Sequence, residues 1–398
     1  MENKPGVIIL GIEHQALGLL RQLSEQSIPC VLIDQDKYGP TLFSRYKDKF
    51  YLSPSYTSKD FWPWLKELVL KNGYENWIII PTDDEQVRQL SENFNEVEEI
   101  LKFPGIPWEK YQLIYDKRLA YEWTRKLDIP NPKTFIPLER NCIHEHNLSF
   151  PFIVKPAVKR EFKKYSKKKA IAVNSSQELD LLINSDLKNV PIEELIFQEI
   201  IEGSGEQQWS YAGLFINGKP SAAYTACRLR QHPPDYGRAS TYVIASYDKE
   251  VEILSKKIIS ELQFTGLAEV EWKRDLKDNQ LKFFEVNARS WGWHSLSSRV
   301  VGNIPLMLYN YYTNDSQSFT EPTYGGRWIK WITDIPVVFD LMKNKKLKFN
   351  DYLKGIMGNL TSCDWDRKDP LPFFMQFLLL PYLIIKRGYT LHPSTRRT

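Results

Sequence analysis

Apolar positions change their spacing along the chain, and each change marks an element. Residues 7–10 form a short apolar run that ends at Gly11, Leu17, Leu20 and Leu23 recur at helical spacing within 16–26, and 29–34 is again apolar and β-branched, ending in Asp34. Strand, helix, strand in this order predicts a parallel sheet. A helical segment at 59–71 and a strand at 77–80 continue it, the strand running into Pro81-Thr82-Asp83-Asp84-Glu85. Loops at the carboxyl ends of such strands are where function concentrates. The loop after the first strand, Gly-Ile-Glu-His-Gln-Ala-Leu-Gly, lacks the GxGxxG spacing that brings backbone against a pyrophosphate, which disfavours a dinucleotide oxidoreductase.

Prolines at 104 and 107 interrupt this alternation, and Asp116-Lys117 then opens a helix that runs to Asp128 and is stopped by Ile-Pro-Asn-Pro. A boundary is expected near residue 112. From 151 to 286 the texture is β-rich, with strands expected at 152–155, 170–173, 195–201, 208–216, 222–230, 268–273 and 281–286, and helices at 176–184 and 250–262. Beyond 315 the pattern is helical and aromatic. The expected fold class is therefore α/β (α+β), with a Rossmann-like parallel-sheet domain first and a helical extension last. The longest apolar stretch, 371–385, contains Gln376 and Pro381 and is too short to span a bilayer. It reads as a buried helix or, with Lys386 and Arg387 behind it, as a membrane-surface patch.

Chemistry concentrates in 283–289, Phe-Phe-Glu-Val-Asn-Ala-Arg, preceded by Glu269-Val-Glu-Trp. Alternation puts Glu285, Asn287 and Arg289 on one face of a strand. Two carboxylates and an amide oxygen on neighbouring strands are the hard ligands that magnesium prefers, and an arginine beside them could neutralise a transferring phosphoryl group. The same pattern also describes a solvated face with an acidic ladder. Lys155 ends a strand in Phe-Ile-Val-Lys-Pro, placed to meet phosphate as a point charge. A second strand end carries Gln198 and Glu199, with Glu206 downstream. Arg228 and Arg230 are expected on one face of a strand, before a proline-stiffened loop through Gly237; guanidinium forks there suit a carboxylate substrate, and a surface turn is the alternative. His294, beside Trp291 and Trp293, is a general base for an incoming amine or a packed core residue.

Composition narrows the classes. The 398 residues are 42% hydrophobic and 26% charged, which excludes a disordered or low-complexity chain. Four scattered cysteines show no CxxC pair, so neither a zinc site nor a disulfide scaffold is indicated, and a cytoplasmic setting is expected. The amino terminus is too short and polar for a signal peptide. A net charge of +4 does not call for nucleic acid, although 157–169 holds seven basic residues and no glycine. That interval is either a cationic flap over phosphates or a solvated loop.

These elements, in this order, resemble the ATP-grasp superfamily, and the chain is similar to its predicted ATP-dependent carboligases, the carboxylate-amine ligase group. The resemblance runs from about Val7 to Val300, and Ser44-Arg45-Tyr46, 81–85, 230–237, Trp365 and Asp369-Pro-Leu-Pro extend it to that group. It implies a pre-ATP-grasp domain at 1–112, an ATP-grasp domain at 113–315 with its lid over 130–197, and an extension at 316–398. It further implies that Lys117 and Lys155 contact ATP phosphates, Gln198, Glu199 and Ile201 the adenine, and Glu206 the ribose. Glu271, Glu285 and Asn287 would hold magnesium (two ions, with manganese as a substitute), and Arg289 would stabilise the acyl-phosphate step, while Arg228 is the further catalytic candidate, read from the residues as a fork for the carboxylate. The expected activity joins a small-molecule carboxylate to an amine with release of ADP and phosphate. A nucleotide-binding module without catalysis, docked at a membrane by the apolar tail, is the second reading; the oligomeric state and the substrates are not readable.

Overall fold

The computed structural model describes residues 4–158, 170–232, 239–313 and 320–387. Along the chain, β1 (Val7–Leu10), α1 (His14–Ser24), β2 (Cys30–Asp34), β3 (Lys49–Leu52), α2 (Phe61–Asn72) and β4 (Ile78–Pro81) are followed by α3 (Asp84–Glu92), α4 (Phe94–Ile100), α5 (Trp108–Tyr115) and α6 (Lys117–Lys126). Next come β5 (Thr134–Phe135), β6 (Phe152–Pro156), β7 (Ile171–Val173), α7 (Ser176–Asn184), β8 (Leu195–Glu199), β9 (Gln208–Ile216), β10 (Lys219–His232), β11 (Ala239–Ala245) and α8 (Lys249–Leu262). The chain continues through β12 (Gly266–Arg274), β13 (Leu281–Asn287), α9 (Ile304–Tyr312), β14 (Arg327–Ile329), α10 (Trp331–Lys343), α11 (Phe349–Ile356), β15 (Leu360–Ser362) and α12 (Leu371–Arg387).

Two compact units result. The first comprises Met1–Trp108, Ser204–Glu271 and Asn287–Thr398, and the second Glu109–Gly203 and Trp272–Val286. The first contains the parallel sheet β3-β2-β1-β4, whose two central strands are buried at every position, as continuous apolar runs in a covered parallel sheet require. Gly11 ends β1 with φ +120°, and a Cβ there would strike the Thr82 hydroxyl, which donates to the Leu10 carbonyl at 2.7 Å; only glycine fits. A capping box on α3, with Asp83 and Gln86 exchanging bonds, fixes the turn after β4.

A seven-stranded sheet runs in the order β13-β12-β9-β10-β11-β14-β15, and the second unit has a four-stranded sheet, β5-β8-β6-β7. The segment 316–398, expected as a helical extension, also sends two short strands, β14 and β15, into the large sheet. Its strands are short and lie between helical stretches, so their periodicity is masked. The carboxyl-terminal region also closes on the beginning of the chain within the first unit. Arg21 on α1 donates to the buried Asp369 carboxylate at 3.0 Å and to its carbonyl at 2.7 Å, and Asp369 also accepts from the Ser44 hydroxyl and the Arg45 amide. Two motifs more than 300 positions apart, 44–46 and 369–372, are one joint.

Candidate active site

Each unit carries its own set of charged groups. In the second unit, Asp116 caps α6 by accepting from the Arg118 amide, which sets Lys117 at the first helical position. The Lys117 amide donates to the Ala157 carbonyl at 3.2 Å, and its ammonium lies 3.4 Å from Glu285. Lys155, near the end of β6, is nearly buried. It donates to the Tyr121 hydroxyl at 2.9 Å and to Gln198 Oε1 at 2.7 Å, and lies over the rings of Tyr121 and Phe284. Burial lowers the Lys155 ammonium from its ordinary value. Burial alone would raise the Tyr121 phenol, but the Lys155 and Lys117 ammoniums more than offset this, and it lies below its usual range.

The other strand-end residues are also engaged. Gln198 spends its oxygen on Lys155 and its nitrogen on the Thr134 hydroxyl at 2.9 Å, so its amide positions the lysine. Glu199 accepts from the Lys133 amide and from Lys282, both at 2.9 Å. Ile201 is buried, and its carbonyl accepts from Lys273 at 2.7 Å.

In the first unit the groups are mainly anions held by arginines. Glu271 pairs with Arg228 at 3.2 Å, and Arg228 also donates to Gln208 at 2.8 Å. The Asn287 amide nitrogen donates to Glu271 at 2.8 Å and to Glu269 at 3.1 Å, while its oxygen accepts from Arg289 at 2.8 Å. Arg289 reaches on to Asp84 at 2.6 Å, at the start of α3. Glu269 accepts from the Ser210 hydroxyl, and burial together with the neighbouring Glu271 pushes its carboxyl up to about 8. Glu206 is exposed on a 3-10 turn, where its carbonyl accepts from the Cys227 thiol.

The structure corrects two expectations here. Arg228 pairs across the sheet with Val243 and Arg230 with Tyr242, so a β-bulge between them puts the two arginines on opposite faces. Arg230 accordingly faces a different partner, Asp334 at 2.8 Å, and lies over the Tyr242 ring. β13 also stops at Asn287, so Arg289 lies beyond the strand instead of on its face. His294 packs as a core residue. It is buried, its Nε2 donates to the Gln15 carbonyl at 3.0 Å, and it contacts the Trp291 ring edge-on. The basic run 159–169 and the loop 233–238 lie outside the described residues.

No family model matches the chain. Among curated proteins it is similar to D-aspartate ligase of Enterococcus faecium (strain Aus0004), 24% identical over 351 residues that cover 82% of this chain and 80% of that one. Among solved structures it resembles N5-carboxyaminoimidazole synthetase from Staphylococcus aureus, with TM-score 0.62, 16% identity and 88% and 87% of the two chains covered. It also resembles the biotin carboxylase domain of the Hydrogenobacter thermophilus 2-oxoglutarate carboxylase in complex with MgADP, with TM-score 0.62, 16% identity and 82% and 74% covered. The chain shares the fold of these ATP-grasp proteins.

The residues expected to hold metal are, each taken by itself, hard donors. Glu271, Glu285 and Asn287 offer carboxylate and amide oxygens, with no sulfur or imidazole among them. Tyr121 beside Lys155 escaped the sequence reading, whereas Asp84 beside Arg289 and Glu269 beside Asn287 stand in motifs that it singled out without giving either residue a role. Glu269 had a signal, since it is two positions from Glu271 on one strand. Asp84 had one as well, in the acidic loop after β4, while Tyr121 had none, because it meets its partner through tertiary structure.

Proposed function

We propose that the protein is a magnesium-dependent ATP-grasp ligase that activates a carboxylate as an acyl phosphate and joins it to an amine. The observation that carries this reading is Lys155, a nearly buried ammonium whose hydrogen-bond partners, Tyr121 and Gln198, are a phenol and an amide, with no carboxylate bonded to it. A desolvated cation held in this way is organised in advance for an anion such as a phosphate. Similarity to a D-aspartate ligase supports amide formation, and the MgADP-bound neighbour supports the nucleotide.

In the proposed reaction a substrate carboxylate oxygen attacks the γ-phosphorus of ATP and ADP leaves. The amine nitrogen then attacks the acyl carbon, phosphate departs, and the amine loses a proton. Lys117 and Lys155 hold the phosphates, and Gln198 positions Lys155. Glu199 and Ile201 border the adenine, and Glu206 reaches the ribose hydroxyls. Arg228 and Arg289 orient the carboxylate and neutralise charge as it develops. Glu271, Glu285 and Asn287 would hold two magnesium ions, or manganese in their place, which supply charge neutralisation on phosphate oxygens. We assign these roles to a pre-ATP-grasp domain at 1–112, the ATP-grasp domain at 113–315 and an extension at 316–398, in a cytoplasmic enzyme.

The test is ADP release from a panel of carboxylates and amines that includes D-aspartate. Glu285→Gln is expected to lower turnover at least about a thousandfold. Its stability should change by less than about 1 kcal/mol, because the Lys117 pair it breaks is partly exposed. Undiminished turnover in that variant would remove Glu285 from the metal set, and nucleotide binding without ADP release across the panel would favour the non-catalytic module.

A further inference from the structure

We propose that the carboxyl-terminal helices α11 and α12 dock the protein on the surface of an anionic lipid bilayer. The sequence offered a buried helix or a surface patch for 371–385, and the structure gives α12 both characters. Its inner face buries Pro372, Gln376 and Leu379, packs against the 3-10 turn Pro40–Phe43, and is tied by the Tyr382 hydroxyl to Asp36 at 2.7 Å. Its outer face carries Leu371, Phe374, Leu378, Pro381 and Ile385 at alternating steps of three and four. Phe374 is 54%, Leu378 72% and Ile385 85% exposed. A helix that is apolar all round is normally covered on every side.

The preceding helix repeats the pattern independently. No residue of α11 is buried, and Phe349, Leu353 and Met357 recur at four-residue steps, with Phe349 61% and Met357 67% exposed. Its own unit therefore leaves this amphipathic helix without a cover. Trp365, part of an aromatic cluster with Phe373 and Phe374, is also partly exposed.

Charge selects the occupant. Lys343, Lys345, Lys346 and Lys348 lie exposed between α10 and α11, and Arg367 and Lys368 lie exposed just before α12. Nearby Asp334, Asp364 and Asp369 are buried, and the sequence 370–398 contains no Asp or Glu. Asp351 on α11 is exposed and Asp366 half-buried, but the exposed lysines and arginines outnumber them, so these apolar helices with mainly cationic flanks complement anionic headgroups, whereas a second copy would bring like charges together. Among the described residues no helix is long and apolar enough to cross a membrane. Residues 371–385 extend about 22 Å against a hydrocarbon core of about 30 Å, so α12 would lie in the interface.

The experiment is sedimentation of the full chain with phosphatidylcholine vesicles, with and without phosphatidylglycerol. The protein is expected to pellet with the anionic vesicles, and less so as salt is raised. Phe374→Glu with Leu378→Glu should weaken binding at least about tenfold, with unchanged circular dichroism and ADP release. Lys345→Glu with Lys346→Glu should weaken it while leaving the apolar face intact. The proposal is overturned by absence from both vesicle pellets, by binding that the Phe374 and Leu378 changes leave intact, or by self-association in lipid-free buffer that those changes abolish.

Discussion

Lys155 in the second unit and Glu271 in the first are both charged, both nearly buried and both on strands, yet the protein treats them in opposite ways. Glu271 is matched by Arg228, and its neighbour Asn287 ties it to Glu269 and Arg289. Lys155 is given hydroxyl and amide dipoles, and burial lowers its pKa. The first arrangement stabilises the folded chain through complementary charge. The second retains an excess of positive potential, a cost that an arriving anion relieves. Chemically similar substitutions should therefore have different consequences in the two places.

Of the two residues compared, Glu271 carries the larger expected effect. Glu271→Gln should reduce turnover about a thousandfold and also lower stability by about 2 kcal/mol, because Arg228 loses a charged partner in a poorly hydrated place. Denaturant unfolding beside ADP-release assays checks both; unchanged stability would mean that the arginine network is not what holds Glu271. Next is Lys155→Met, expected to cost about a hundredfold in turnover. Its stability should change by less than about 1 kcal/mol, since relief of a desolvated ammonium offsets the two lost hydrogen bonds. A loss of several kcal/mol would show that Lys155 is structural.

An effect on stability alone concerns His294, a buried base with no proposed catalytic role. Burial lowers its pKa to about 4, below the usual 6.5, so the unfolded chain takes up a proton that the folded chain refuses. Stability should fall as pH drops from about 7 toward 4, by at most about 3 kcal/mol from this residue. Comparing the pH dependence of unfolding with that of His294→Gln isolates the contribution. An identical slope in the two proteins would refute the assignment.

Legibility followed locality. Lys155, Glu271, Glu285 and Asn287 stand in runs whose alternation survives in the structure, and 208–216 is a strand with its expected ends. The helix at 176–184 is likewise as expected. The Arg228/Arg230 bulge was unreadable because one added residue in a ladder leaves no compositional trace. β14 and β15 have only three residues each, too few for a period to declare itself. Gln198, which the resemblance assigns to the adenine, also accepts from Lys155, 43 positions away and adjacent only after β6 and β8 pair.

The joint between Arg21 and Asp369 has a consequence for how the chain comes to be made. Synthesis proceeds from the amino terminus at about 5–20 residues per second, so the β1–α1 region emerges long before the residue that completes it. Until position 369 is available, a guanidinium destined for burial has no carboxylate, and Ser44 and the Arg45 amide lack the acceptor that they share. Maturation of the first sheet is thus coupled to arrival of position 369, and a ribosome-arrested chain ending before it would hold a sheet with one corner open.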